Sequence, residues 1–158
     1  MTAAIRKLVK TAKIPDVETF QGAGIIFEDL EQNYFFGRVG LFRNQPGDKL
    51  LKHADLVVTV GYDAIEYETR NWNAEQDAVI TVIDTEAPQL DKHFQPTTEL
   101  IGDIAATVDQ LDEELGSYEH SKGSQHYLQT LHEEIEADQK QTPPAGVGNT
   151  NHPLAVIQ

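Results

Sequence analysis

The sequence predicts an α/β domain: a mostly parallel sheet of about five strands with helices on both faces. Three observations carry this. Helical and strand patterns alternate along the first hundred residues. Two runs, at 56–60 and 78–83, are apolar at nearly every position and mostly β-branched, as strands buried on both faces are. The runs end at Gly61 and Asp84, small or polar residues suited to the loop that leaves a parallel strand.

The elements follow in order. Ile5, Leu8, Val9 and Ala12 recur at helical spacing, so residues 2–12 form an amphipathic helix that Pro15 stops. A short strand is expected at 16–20. Gly22 and Gly24 make a loop, and a helical stretch follows at 27–33. The next strand is expected at 38–42. Pro46-Gly47-Asp48 reads as a turn feeding a helix through Leu50 and Leu51. After the two apolar strands comes a shorter one at 98–101, ending at Gly102-Asp103. Ile104, Val108, Leu111 and Leu115 then share a helical face, and residues 116–123 break it. Leu128, Leu131 and Ile135 mark one more helix, rich in Glu outside. The Pro/Gly-rich stretch at 143–148 reads as a linker, and 152–157 as the start of another helix.

Composition narrows the function. The chain has 158 residues and no cysteine, which excludes disulfides, thiolate catalysis and cysteine metal sites and fits a cytoplasmic protein. No run of 18 apolar residues is present, so no membrane-spanning helix is expected. Nor do the first ten residues read as a signal peptide. Of the net charge of −14, residues 1–55 contribute +1 (eight Lys/Arg, seven Asp/Glu) and the remainder −15 (four against nineteen). That acidic half argues against nucleic acid or anionic lipid as partner.

Catalytic patterns are few. The three serines, Ser117, Ser121 and Ser124, all follow the core, which disfavours a serine triad. Gly22-Ala23-Gly24 lacks the third glycine of a dinucleotide fingerprint, since Phe27 stands there. His132 and Glu136 share i, i+4 spacing, which is read as a solvated helix face. One arrangement has a physical logic. Parallel sheets bind ligands beyond the carboxyl ends of their strands, and here those ends carry Gly61, Asp84, Gly102 and Asp103. Glycine admits a ligand to the backbone, and an aspartate accepts hydrogen bonds from ribose or adenine. The same residues serve equally as helix caps and turns.

The segments YFFGRVGLFRNQPGD at 34–48 and ADLVVTVGYDAIEY at 54–67 are specific. With FQP at 94–96, ELIGDI at 99–104 and HPL at 152–154, the chain resembles the middle domain of the catabolic acetolactate synthases. The resemblance implies a Rossmann-like three-layer fold. It implies three regions: a central domain at 1–116, a helical connection and linker at 117–150, and the opening of a cofactor-binding domain at 151–158. It implies a parent enzyme that condenses two pyruvates into 2-acetolactate and CO2 with thiamine diphosphate and Mg2+, other domains supplying the activating glutamate and a Gly-Asp-Gly metal motif. The chain has no Gly-Asp-Gly, so it is expected to be inactive alone, with no catalytic or metal residue and no bound cofactor of its own.

Anabolic relatives hold FAD in this domain. Their active-site mouth uses a segment matching Leu41 and Phe42, and an acid–arginine pair that falls on Glu66 and Tyr67. Tyr67 replaces the arginine, so tight FAD is not expected, although Asp84 and Asp103 match positions near the flavin's nucleotide. Three readings stay open: a scaffold domain of the lyase, a free-standing FAD or NAD module, and an interaction subunit assembling with separately encoded catalytic domains. The parent is expected to be a homo-oligomer. The family's first strand, inside the sheet, has no counterpart before the opening helix, so the chain alone is expected to be marginal or oligomeric. A cooperative calorimetric melt of a clean monomer above about 60 °C would overturn that expectation.

Overall fold

In the computed structural model, the structure describes residues 1–26, 34–40, 45–116 and 119–139. The described elements are α1 (Thr2–Ala12), β1 (Asp16–Glu18), β2 (Phe35–Arg38), α2 (Pro46–His53), β3 (Leu56–Val60), β4 (Val79–Asp84), β5 (Thr98–Ile101), α3 (Ile104–Leu115) and α4 (Lys122–Gln139). A 3-10 turn at Thr69–Asn71 interrupts the connection from β3 to β4. No described helix is long and apolar enough to cross a membrane.

All strand pairing is parallel. β1 pairs with β2, and β3, β4 and β5 form a second sheet in that order. Both faces of the larger sheet are covered, because β4 alternates: Ile80 and Val82 point one way and Ile83 the other. Ile83 joins Ile5, Leu8, Val9 and Ala12 of α1 and Val108 of α3. Ile80 and Val82 join Val57, Tyr67, Trp72 and Phe94, with Leu51 and Ala54 from the α2 side packed against them. The result is the expected three-layer α/β arrangement. Lys7 of α1 reaches Asp112 of α3 at 2.8 Å, fastening the first helix to an element about a hundred residues later.

Local chemistry sets the helix ends. α1 stops at Lys13, in the left-handed region (φ 55°, ψ 41°), two residues before Pro15. Pro46 is the first residue of α2, where its missing N–H costs nothing, and Asp48 Oδ2 accepts the Gln45 N–H at 2.9 Å. The expected turn at 46–48 is therefore the first turn of the helix. Asp103 caps α3.

Four further expectations change. The strand expected at 38–42 is found at Phe35–Arg38, because Phe36 is the side chain that must be buried there; Leu41 and Phe42 lie outside the described residues. The strand expected at 16–20 ends at Glu18, leaving Phe20 exposed. Leu115 shares the helical face of Val108 but is 52% exposed, at the last turn of α3. His132 is not on a solvated face: its ring lies 4.2 Å from that of Phe36, beside fully buried Leu131. The helix expected at 27–33, the linker at 143–148 and the final segment at 151–158 also lie outside the described residues.

The five strands divide between two sheets. β1 and β3 each have one edge without a ladder partner among the described residues. Leu56, Val58 and Val79, on one face of β3 and β4, are 54%, 36% and 47% exposed.

β1 carries two acids on one side. Glu18 is buried and satisfied, taking the N–H groups of Gly24 at 3.1 Å and Ile26 at 2.7 Å. Among the described residues, Asp16 Oδ2 is sealed with no partner. Burial first, and the neighbouring Glu18 charge second, push the Asp16 carboxyl up to about 7. The folded chain thus holds this proton more tightly than the unfolded chain, so Asp16 contributes stability at acid pH that is lost as pH rises from about 4 to about 7. Asp16→Asn is expected to be more stable than the parent chain at pH 8 and to lose that slope, as read by urea denaturation across pH.

Candidate functional site

Parallel strands deliver their carboxyl ends to one side, and the register shows which residues meet there. Val60 lies opposite Ile83, Ile83 opposite Leu100, and Asp84 opposite Ile101. Gly61, Asp84, Gly102 and Asp103 therefore stand along one rim. Backbone bonds fix them: Gly61 N–H donates to Ile83 O at 3.0 Å, and Gly102 N–H to Asp84 O at 2.8 Å. Gly61, at φ +59°, takes the sharp exit from β3 that a side chain would disfavour.

The two rim carboxylates have local work. Asp84 Oδ1 accepts the Thr85 N–H at 2.6 Å and lies 3.4 Å from the Thr85 hydroxyl. Asp103 Oδ1 accepts the Ala106 N–H at 2.8 Å as the N-cap of α3, and the Thr107 hydroxyl donates to Asp103 O at 2.9 Å. Of the two readings open for these residues, turn and cap are what their side chains do in this structure.

Glu66 and Tyr67 lie in the connection after β3 and belong to a separate network. Glu66 Oε1 accepts the Gln21 N–H at 2.7 Å, tying the loop after β1 to the loop after β3. Tyr67 is buried, and its hydroxyl donates to Asp48 Oδ1 at 2.7 Å. Gly40, at φ +92°, lies against Tyr67: a methyl there would stand 3.6 Å from ring Cδ2. The Tyr62 hydroxyl donates to Tyr67 O and receives the Trp72 Nε1–H at 3.3 Å, with the Thr69 hydroxyl also at 3.3 Å. Tyr62 packs edge-on against Phe94 at 5.4 Å.

Burial raises both phenols above the ordinary tyrosine range, and the Asp48 carboxylate adds to the rise at Tyr67. Both stay protonated near neutral pH and act as hydrogen-bond donors. Tyr67 thus holds α2 and the Gly40 turn together, which an arginine could not do without burying a charge. Ile65, beside Glu66, is 90% exposed and Phe20, beside Gln21, is 51% exposed. The Glu66–Gln21 bond therefore brings two apolar side chains to the surface where the two loops meet.

Sequence reading missed Asp48, Tyr62, Thr69 and Trp72, the partners that give Tyr67 its role. Asp48 had a signal, its place three residues after a cap position. Tyr62 and Trp72 had none, since only the tertiary fold joins them.

The class follows from this geometry together with the sequence. Residues 1–111 match the family described as thiamine pyrophosphate enzyme, central domain, and the chain belongs to that family. More particular relatives are two. It is 41% identical over 155 residues to a Bacillus subtilis (strain 168) protein named acetolactate synthase, covering 98% of this chain and 27% of that protein. It is 45% identical over 92 residues to catabolic acetolactate synthase of Raoultella terrigena, covering 57% of this chain and 16% of that one. The chain spans about a quarter or less of the length of these relatives.

Tyr67→Phe removes one hydroxyl and leaves Asp48 Oδ1 without that donor. It is expected to cost about 1–3 kcal/mol in urea unfolding, as a buried hydrogen-bonding group left unpaired does.

Proposed function

We propose that this chain is the central scaffold domain of an acetolactate synthase, whose parent condenses two pyruvates into 2-acetolactate and CO2. The observation that carries the reading is the alignment of 98% of the chain, at 41% identity, with the Bacillus subtilis acetolactate synthase. The resemblance quoted above, most specific at 34–67, supports it independently of overall identity.

Bond-making belongs to thiamine diphosphate, held by Mg2+, which stabilises a carbanion. The described residues do not fit either. None forms a group of three or more His, Asp or Glu able to hold a metal ion. The rim carboxylates Asp84 and Asp103 are engaged by backbone N–H groups. No catalytic step is therefore assigned to this chain, which alone is inactive on this reading. Its contribution is positional: the Glu66–Gln21 and Tyr67–Asp48 bonds hold the loops that leave β1 and β3. Leu41 and Phe42, which the resemblance puts at the active-site mouth, follow directly on Gly40, braced by Tyr67.

The partners on this reading are the other domains of the same enzyme, in a homo-oligomer, in the cytoplasm. A free-standing FAD or NAD module is the alternative reading; Asp84 and Asp103 each use Oδ1 for a local donor. The region at 151–158 is assigned to the start of the cofactor-binding domain on the resemblance alone.

The test is a chimaera in which this chain replaces the matching region of the Bacillus subtilis enzyme. Acetolactate formation from pyruvate is expected to persist in the chimaera and to be absent from the isolated chain, and FAD titration of the isolated chain to millimolar concentration is expected to be flat. A folded, assembled chimaera without activity would overturn the reading, as would activity or saturable FAD binding in the chain alone.

A further inference from the structure

We propose that α4 is a detachable strap, held on α2 and β2 when His132 is neutral and released when His132 takes up a proton. α4 lies outside the 1–111 stretch that matches the family model.

α4 meets the body of the domain through few side chains. Leu131 is fully buried. The His132 ring lies on Phe36 of β2, centroids 4.2 Å apart and planes 36° apart. Tyr127 donates its hydroxyl to Lys49 O at 3.1 Å, and Lys49 Nζ pairs with Glu134. Only one of these contacts changes character near neutral pH. Among the described residues, His132 Nδ1 is sealed from solvent with no hydrogen-bond partner. As a bare lone pair it is a tolerable buried acceptor. As the N–H of an imidazolium it is a donor without an acceptor, and the cost of burial rises.

The surroundings do not offset that cost. On α4 itself, the Glu136 charge favours the protonated ring, but burial outweighs it and the imidazole is held below its ordinary 6.5. From α2 come Lys49, occupied by Glu134, and Lys52 and His53; from β2 comes Arg38 at its exposed end. His53 is the other histidine at this interface. Its Nδ1 lies 2.9 Å from Lys49 O and 3.1 Å from the Tyr127 hydroxyl.

The direction follows from linkage. A base held below its free value in the docked state stabilises docking fully above about pH 6.5 and loses that contribution as pH falls through the docked value. Asp16 titrates in a nearby range with the opposite sign, firming the folded chain as pH falls, so acid loosens α4 while the sheet is not weakened by that group. The docking equilibrium shifts by about tenfold for each unit by which docking lowers the His132 value.

The experiment is amide hydrogen exchange on the whole chain at about pH 7.5 and about pH 5.5, corrected for intrinsic rates, with the His132 ring followed by NMR across the same range. Protection across Lys122–Gln139 is expected to fall at the lower pH while that of β4 and α3 persists. His132→Phe and His132→Gln should keep α4 protected at both pH values, and His132→Lys should leave it unprotected at both. Wild-type protection unchanged by pH would overturn the proposal, as would the same acid loss in both neutral variants. A uniform loss over the whole chain would overturn it too, because a detachable strap leaves the body intact.

Discussion

Burial of β4 on both faces is the constraint from which the rest of the domain takes its arrangement. A strand covered on one side alone could be polar at every second position; Ile80, Val82 and Ile83 leave no such choice. Ile83 needs a lid, which α1 and α3 supply together, and Ile80 and Val82 need another, which Trp72, Phe94 and Tyr67 supply. Tyr67 can serve there because Asp48 takes its hydroxyl proton, and Asp48 is where it is because Pro46 starts α2. The packing requirement of one strand thus reaches the cap of a helix on the far side of the sheet. Asp48, Tyr62, Thr69, Trp72 and Asn73 of this layer meet partners, as interiors require, while Thr59 Oγ1 and His93 Nδ1 meet none among the described residues.

Much of this was legible in the sequence, and the limit is physical. α1 was readable because its five apolar residues repeat at helical spacing and nothing nearby competes. β3 and β4 were readable because continuous β-branched runs have few alternatives at that length. β2 was misplaced by three residues because YFFGRVGLF offers two apolar stretches, and the choice between them is made by Phe36 meeting α4. The rim residues were correctly located, yet their side-chain roles were open until the partners Thr85 and Ala106 were seen. Glu66 and Tyr67 act on Gln21 and Asp48, 45 and 19 residues away. No local pattern contains such pairs.

The strand-end loops are held rigidly, and by groups that are thereby withdrawn from other chemistry. Glu66 spends an oxygen on Gln21, Tyr67 its hydroxyl on Asp48, and Asp103 an oxygen on its own helix. This is the pattern of a framework that presents a surface, with Phe20 and Ile65 left outward.

The union of α1 with α3 has a consequence for how the chain comes into being. The apolar face of α1 leaves the ribosome about a hundred residues ahead of Val108 and the Asp112 that receives Lys7. At ordinary synthesis rates that interval is about 5–20 s, with the helix lacking α3 throughout. A helix made early in this stretch is therefore among the late ones to find its place, and the nascent chain carries an unburied amphipathic segment for most of the time it takes to build the domain.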